Sequence, residues 1–183
     1  MRAPRVSDIT EEEGPSHRQQ DLYFNELFQL KVACEYMRLY RNRVARWVTR
    51  FNALRALASS GAIATWAVVQ SHPLIWAGII AAAQVSDVLK DVIPLTARHQ
   101  AASALVMSLD ALLIEALFEW ERIFAAQLTN EEITERWRTL MKLRHDTEVE
   151  HFPTGDLPER SDLMRLAEQT AIAHFEARFG PKE

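Results

Sequence analysis

Residues 56–86 read ALASSGAIATWAVVQSHPLIWAGIIAAAQVS, and this stretch decides between two folds. It contains no Asp, Glu, Lys or Arg, although 25% of the whole chain is charged. His72-Pro73 divides it into two apolar segments, and proline is tolerated in the first turn of the helix that follows. The stretch therefore predicts a helical hairpin, which either crosses a lipid bilayer or lies in the core of a soluble helical protein.

Composition limits the class of protein. A chain of 183 residues with 48% apolar residues is long enough for one domain with a buried core. Five Gly and seven Pro leave few turn signals, so long helices are expected. The mean hydropathy of −0.16 excludes a polytopic membrane protein but permits one hairpin. The single cysteine, Cys34, excludes an internal disulfide and a cysteine metal cage.

Apolar spacing predicts an all-α fold of long helices, with one antiparallel transmembrane hairpin and a cytoplasmic helical bundle. Apolar residues spaced by three and four predict a helix over 18–51 that continues into the uncharged stretch. Its apolar stripe is Leu27, Leu30, Cys34, Met37, Val44, Val48 and Phe51. Another helix is predicted over 96–128, with an apolar face of Leu105, Leu109, Leu112, Leu113, Leu117, Trp120, Phe124 and Leu128. Thr129-Asn130-Glu131-Glu132 matches a capping box that begins a helix of about twenty residues. A last helix is expected over roughly 158–178, and no strand pattern is seen.

These elements divide the chain into four parts. The N-terminal part is polar, lacks the apolar core of a signal peptide and is expected to be flexible. A basic cytoplasmic helix, the membrane hairpin and a cytoplasmic helical region follow it. The four parts are residues 1–17, 18–55, 56–93 and 94–183.

Small residues form a ridge along each half of the hairpin. Small residues allow helix backbones to approach closely, and this matters most in lipid, which cannot drive helices together hydrophobically. Alanine-rich helices of soluble bundles also form such ridges by chance. The residues expected to pack are Ala58, Gly61, Thr65, Gly78, Ala82 and Ser86.

Basic and aromatic residues flank the hairpin. Arginines before a membrane helix favour a cytoplasmic flank and meet anionic lipid headgroups. Trp66 and Trp76 near the tip and Trp47 and Phe51 at the base resemble two aromatic belts, although core tryptophans fit almost as well. The residues expected at the headgroups are Arg38, Arg43, Arg46, Arg50 and Arg55.

Length argues for the soluble alternative. The two uncharged segments contain 16 and 13 residues, whereas a helix needs about 20 to cross the hydrocarbon. Extending the second segment includes Asp87, whose position towards the end makes its charge less costly than at the centre. A soluble helical interaction or assembly module without membrane insertion is therefore the alternative.

Catalytic signatures are weak, and we expect no enzyme, no cofactor and no metal site. Glu148-x-x-His151 matches half of a di-iron bundle motif, but a second Glu-x-x-His pair is missing. A metal-binding bundle is the third possibility. The arginine cluster also suits nucleic acid, but a pI of about 5.9 argues against that partner.

The order of parts resembles the SLATT family, two-transmembrane effector proteins of prokaryotic conflict systems. The resemblance covers roughly residues 20–145: a helix bearing YMRLYRNRVARWVTRFNAL, a two-span hairpin, a long helix and a soluble helical tail. The residues before the hairpin that carry it are Tyr36, Tyr40, Arg41, Arg43 and Phe51. The spans are short for the family, and Asp87 and Asp91 interrupt the second.

The resemblance implies a role rather than a reaction. It implies a homo-oligomer in the bacterial inner membrane, with both termini cytoplasmic, that permeabilises or depolarises this membrane in abortive infection, an antiviral defence, by pore formation. Membrane lipid and either a sensor protein or a nucleotide second messenger are the implied partners. Gln84 and Asp87 become the polar residues at the inner mouth. The soluble alternative implies a cytoplasmic protein.

Overall fold

The computed structural model describes residues 17–64, 78, 81, 95–153 and 160–179. Within these residues every regular element is helical and there is no strand, so the predicted all-α class is confirmed for the described part. The helices are α1 (His17–Ala64), α2 (Leu95–Phe124), α3 (Asn130–His151) and α4 (Ser161–Phe179). The predicted hairpin falls mainly on residues 65–94, of which only Gly78 and Ala81 are described, both helical.

The chain divides into two compact units. The terminal unit contains Met1–Tyr36 and Leu105–Glu183, and the central unit contains Met37–Ala104. Helix α1 and helix α2 each contribute residues to both units, because the divisions fall inside them.

Helix α1 is one uninterrupted helix of 48 residues, or about 72 Å at 1.5 Å per residue. Its predicted apolar stripe is confirmed from Leu27 to Val44, where the stripe residues are buried, while Val48 and Phe51 are half-buried. The continuation of the helix into the uncharged stretch, as far as Ala64, is also confirmed.

Aromatic contacts hold α1, α2 and α4 together in the terminal unit. The Tyr23 and Trp120 rings stack at 6.3 Å between centroids, and Phe24 lies 5.1 Å from Trp120 and 5.4 Å from Phe175. The Tyr23 hydroxyl donates to the carbonyl oxygen of Ala116 at 3.2 Å. Aromatic pairs at these distances add to the free energy of burial, so this cluster anchors the start of α1.

Ion pairs between the described helices surround this core. Arg144 Nε of α3 lies 3.1 Å from Glu26 Oε1 of α1, and Glu26 is buried. Arg136 Nε of α3 lies 3.7 Å from Glu119 Oε2 of α2. Arg178 of α4 pairs with Glu121 of α2 at 2.8 Å between two exposed side chains. Charged contacts therefore contribute to the attachment of α3 and α4.

The start of α3 is the predicted capping box. The Glu132 N–H donates to Thr129 Oγ1, and the Thr129 N–H donates to Glu132 Oε2 at 2.8 Å. The Thr129 hydroxyl also donates to Glu132 Oε2 at 2.9 Å. The two hydrogen bonds that the Thr129 backbone N–H and hydroxyl donate to this carboxylate hold the pKa of the Glu132 carboxyl below its usual range. The depressed pKa means that this cap stabilises the fold above the unfolded carboxyl pKa and loses its effect as the pH falls through the folded value.

Helix α2 ends at Phe124, four residues earlier than the sequence predicts. Ala126 has a positive φ of 53°. Its N–H donates to the Ile123 carbonyl, and the Gln127 N–H donates to the Arg122 carbonyl. This is a Schellman motif, in which glycine normally occupies the left-handed position. An alanine in that position made the helix end invisible to sequence patterns.

Replacing Ala126 with glycine is expected to raise the free energy of unfolding by about 0.5–1 kcal/mol. Glycine removes the strain of a side chain at positive φ, which is about 1–2 kcal/mol, and part of this gain is offset by the greater freedom of glycine in the unfolded chain. Chemical denaturation of both proteins measures the difference. The matched control is Ala173→Gly on the exposed side of α4, which is expected to be destabilising. Destabilisation by both substitutions would contradict the strain at Ala126.

Candidate membrane-contact segment

Three of the predicted headgroup arginines share one side of α1 with a tryptophan. Positions three and four apart are neighbours on a helix surface. We call this set the arginine–tryptophan face: Arg43, Arg46, Trp47 and Arg50. Arg46 and Arg50 are exposed, Arg43 is half-buried and 47% of Trp47 is exposed. Arg38 lies on another side of the helix, and the side chain of Arg55 lies outside the described part of α1.

Trp47 contacts one arginine of this face and a neighbouring phenylalanine. The Arg50 guanidinium carbon lies 5.6 Å from the centre of the Trp47 ring, within the range of a cation–π contact. The Trp47 and Phe51 rings lie 6.0 Å apart. An exposed tryptophan bordered by arginines presents an apolar ring body and polar groups on the same surface, the composition that suits a membrane interface.

Burial along α1 stops before the uncharged stretch. Val44 is 7% exposed, and the described side chains from Ala45 to Ala56 are exposed or half-buried. The stripe residues of α1 as far as Val44 therefore lie in the core, whereas residues 45–53 and Ala56 lie at or near the surface.

The small-residue ridges are described only in part. Ala58 and Gly61 lie within α1, but their side-chain surroundings are outside the described part. Gly78 is helical and exposed, and a Cβ built there meets no atom within 4 Å. The remaining ridge residues and the two mouth residues lie outside the described residues: Thr65, Ala82, Ser86, Gln84 and Asp87.

Among the described helices, α2 has the length and apolarity to span a membrane, with a mean hydropathy of 1.8 over its most apolar window, of which 33% is buried in the chain. A core helix of a soluble protein has the same properties. Leu105, Leu109, Leu113 and Ala116 are buried, and Tyr23 donates to the Ala116 carbonyl. Protein contacts therefore account for one face of α2.

A second apolar face of α2 is exposed. Its large members are Met107, Ile114 and Phe118, with exposed fractions of 68%, 54% and 61%. With Ala111 they are spaced by four, three and four, which places them along one side of the helix. Sequence reasoning missed this face because it assigned only one apolar side to α2. The spacing was the available signal.

The polar groups near Tyr23 serve the packing of the terminal unit. Burial, with the nearby Glu119 carboxylate, raises the pKa of the Tyr23 phenol above its usual range, against a smaller lowering by Arg136. A phenol with this pKa stays protonated and keeps donating to Ala116. These groups therefore have a structural role: the Tyr23 hydroxyl is a permanent hydrogen-bond donor, and Glu119 and Arg136 form an ion pair near it.

The described residues contain no group of three or more His, Cys, Asp or Glu side chains arranged to hold a metal ion. In the Glu148-x-x-His151 half-motif on α3, both side chains are half-buried, and His151 Nδ1 lies 2.9 Å from the carbonyl oxygen of Thr147 on its own helix.

Comparison with known proteins gives no family for this chain. No family model, curated protein or solved structure matches the chain. The class that the described residues define is an all-helical protein with a packed terminal unit and a basic, tryptophan-bearing surface on α1.

Proposed function

We propose that the chain is a membrane-embedded effector that oligomerises and permeabilises or depolarises the bacterial inner membrane in an antiviral, abortive-infection system. The SLATT resemblance supplies this role. The observation that carries the membrane part is the course of α1, which runs without a break from the buried core through exposed arginines and a tryptophan into the uncharged stretch.

In this proposal the terminal unit is the cytoplasmic, signal-receiving part of the effector. It has its own core, built from α1, α2, α3 and α4, and surrounding ion pairs. Helices α1 and α2 also contribute to the central unit. A sensor protein or a nucleotide second messenger could alter the packing of α1 and α2 in the terminal unit. It would thereby act on the two helices that precede and follow the hairpin in the sequence.

A soluble helical interaction module is the second candidate function. The observation that favours it is the exposed apolar face of α2, because large exposed apolar patches mark sites of protein association. Membrane extraction separates the two functions. The effector stays in the membrane pellet after alkaline carbonate treatment, whereas the module appears in the supernatant without detergent.

Ala81→Arg is expected to abolish growth arrest and loss of membrane potential when the chain is expressed in bacteria. A charge at the centre of a span costs about 2.5–3.5 kcal/mol of insertion free energy. Ala81 is helical and exposed, so the larger side chain does not displace neighbouring side chains of the same chain. A potential-sensitive dye and the growth rate measure the effect.

Ala81→Leu is the matched control, since it adds bulk without charge and is expected to keep the arrest. Unchanged arrest by Ala81→Arg would contradict membrane permeabilisation. Complete release of the wild-type protein by carbonate would contradict membrane insertion and favour the soluble module.

A further inference from the structure

The charge on the second half of α1 has one sign. Between residues 36 and 86 the sequence contains six arginines and no Asp or Glu. On a helix, like charges three or four residues apart repel one another. Arg46 and Arg50 form such a pair on the exposed side of α1, so a surface of negative charge relieves a repulsion that the chain itself maintains.

The position of these arginines fits the headgroup layer. Arg50 precedes Ala56, where the uncharged stretch begins, by six residues, or about 9 Å along a helix. The headgroup layer on each side of a bilayer is about 5–8 Å thick, from the difference between the full bilayer and its hydrocarbon core. Arginines at phosphate level therefore place Ala56 at the edge of the hydrocarbon.

Trp47 would fix the depth of this face in a membrane. Its ring is half exposed, is bordered by Phe51 at 6.0 Å and carries the Arg50 guanidinium over its surface. An indole sits preferentially at the level of the headgroups, where its ring body is in contact with apolar chains and its N–H reaches polar groups. A guanidinium has the geometry to bind a phosphate through two parallel N–H groups, and on this ring it would lie at the level of the lipid phosphates.

We propose that the arginine–tryptophan face binds the phosphate groups of anionic phospholipids, so that attachment of the protein depends on anionic lipid and not on the bilayer alone. This inference rests on the proposed function, because it assigns a lipid partner to the same membrane-contact segment. Nucleic acid offers the same phosphate chemistry. Lipid is favoured because the basic face leads directly into an uncharged stretch, for which nucleic acid has no counterpart.

Flotation of the purified full-length protein with vesicles tests the inference. One set contains phosphatidylcholine alone, and the other contains equal parts of phosphatidylcholine and phosphatidylglycerol. The double variant Arg46→Gln/Arg50→Gln is expected to lose about 30-fold in its apparent partition onto the anionic vesicles, since each arginine near an anionic surface contributes about a factor of five. It is expected to partition onto phosphatidylcholine as the wild type does.

Arg138→Gln/Arg165→Gln is the matched control. It removes the same charge from exposed positions on α3 and α4 and is expected to keep the anionic partition. Circular dichroism verifies that both double variants remain helical. Trp47→Ala is expected to weaken partition onto both kinds of vesicle, because the indole contribution does not depend on lipid charge.

Four outcomes would overturn the inference. Equal wild-type partition onto both kinds of vesicle would reject the dependence on anionic lipid but leave the membrane-embedded effector standing. No partition onto either kind would reject the proposed function as well. If the control variant lost as much partition onto anionic vesicles, net charge and not the arginine–tryptophan face would account for the effect. Binding of RNA or DNA that needs Arg46 and Arg50, without anionic flotation, would assign the face to nucleic acid.

Discussion

Leu109→Ala is expected to lower the free energy of unfolding by about 3 kcal/mol, whereas Ile114→Ala on the same helix is expected to change it by less than about 1 kcal/mol. Leu109 is 0% exposed and Ile114 is 54% exposed. Truncation of a buried leucine loses transfer free energy and leaves a cavity, at about 2–5 kcal/mol in total. At a half-exposed position the neighbours and solvent close the gap.

Thermal unfolding followed by circular dichroism measures both variants. For a chain of this size, 1 kcal/mol corresponds to about 2–4 °C, so Leu109→Ala is expected to lower the Tm by about 6–12 °C. The comparison tests what surrounds α2, the most apolar of the described helices. A helix with lipid on every side would respond similarly at both positions, so equal effects would contradict the protein-packed face of α2.

The sequence predicted the helices that carry strong local signals. The capping box at Thr129 and Glu132 is defined by residues three apart, and both of its hydrogen bonds form. The stripe from Leu27 to Val44 depends only on helical spacing, and it is buried. Such features are predictable because the interacting residues are close in the chain.

The two sides of α2 show where helical spacing stops being informative. Both sides are apolar, so spacing predicts a helix but cannot decide which side is buried. The structure buries Leu105, Leu109 and Leu113 and exposes Ile114 and Phe118. Phe124, which the sequence placed on the core side, is 75% exposed, since α2 ends there and the chain turns at Ala126.

The membrane-contact segment was predicted as a collection of arginines rather than as a surface. Helical geometry groups Arg43, Arg46 and Arg50 on one side with Trp47 and leaves Arg38 outside this group. Composition alone could not separate Arg38 from the other three arginines, because it counts charged residues without saying on which side of the helix each one lies. The hairpin ridges stay predictions, since most of their residues lie outside the described part of the chain.

Contacts between helices were beyond the reach of sequence patterns. Glu26 and Arg144 are 118 positions apart, and no local rule joins them. Their atoms lie 3.1 Å apart, close enough to attract as charges although without hydrogen-bond geometry at Glu26 Oε1. The side chains are 10% and 26% exposed, so most of the pair is removed from water.

Arg144→Met is therefore expected to lower the free energy of unfolding by about 2–4 kcal/mol. Removing one partner of a buried pair leaves a charge without compensation, which costs about 3–5 kcal/mol when burial is complete and less at this exposure. The double variant Glu26→Leu/Arg144→Met is expected to recover most of the loss, because apolar side chains replace buried ion pairs at little cost. Chemical denaturation measures both variants.

Arg178→Met tests whether burial or the distance between the charged atoms decides how much an ion pair stabilises the fold. Arg178 and Glu121 lie closer, at 2.8 Å, but their side chains are 42% and 55% exposed. Water screens such a pair, and its loss is expected to cost less than about 1 kcal/mol. If Arg178→Met destabilised the chain more than Arg144→Met, atom separation would outweigh burial in these contacts, and Glu26 would not be an uncompensated charge when Arg144 is removed.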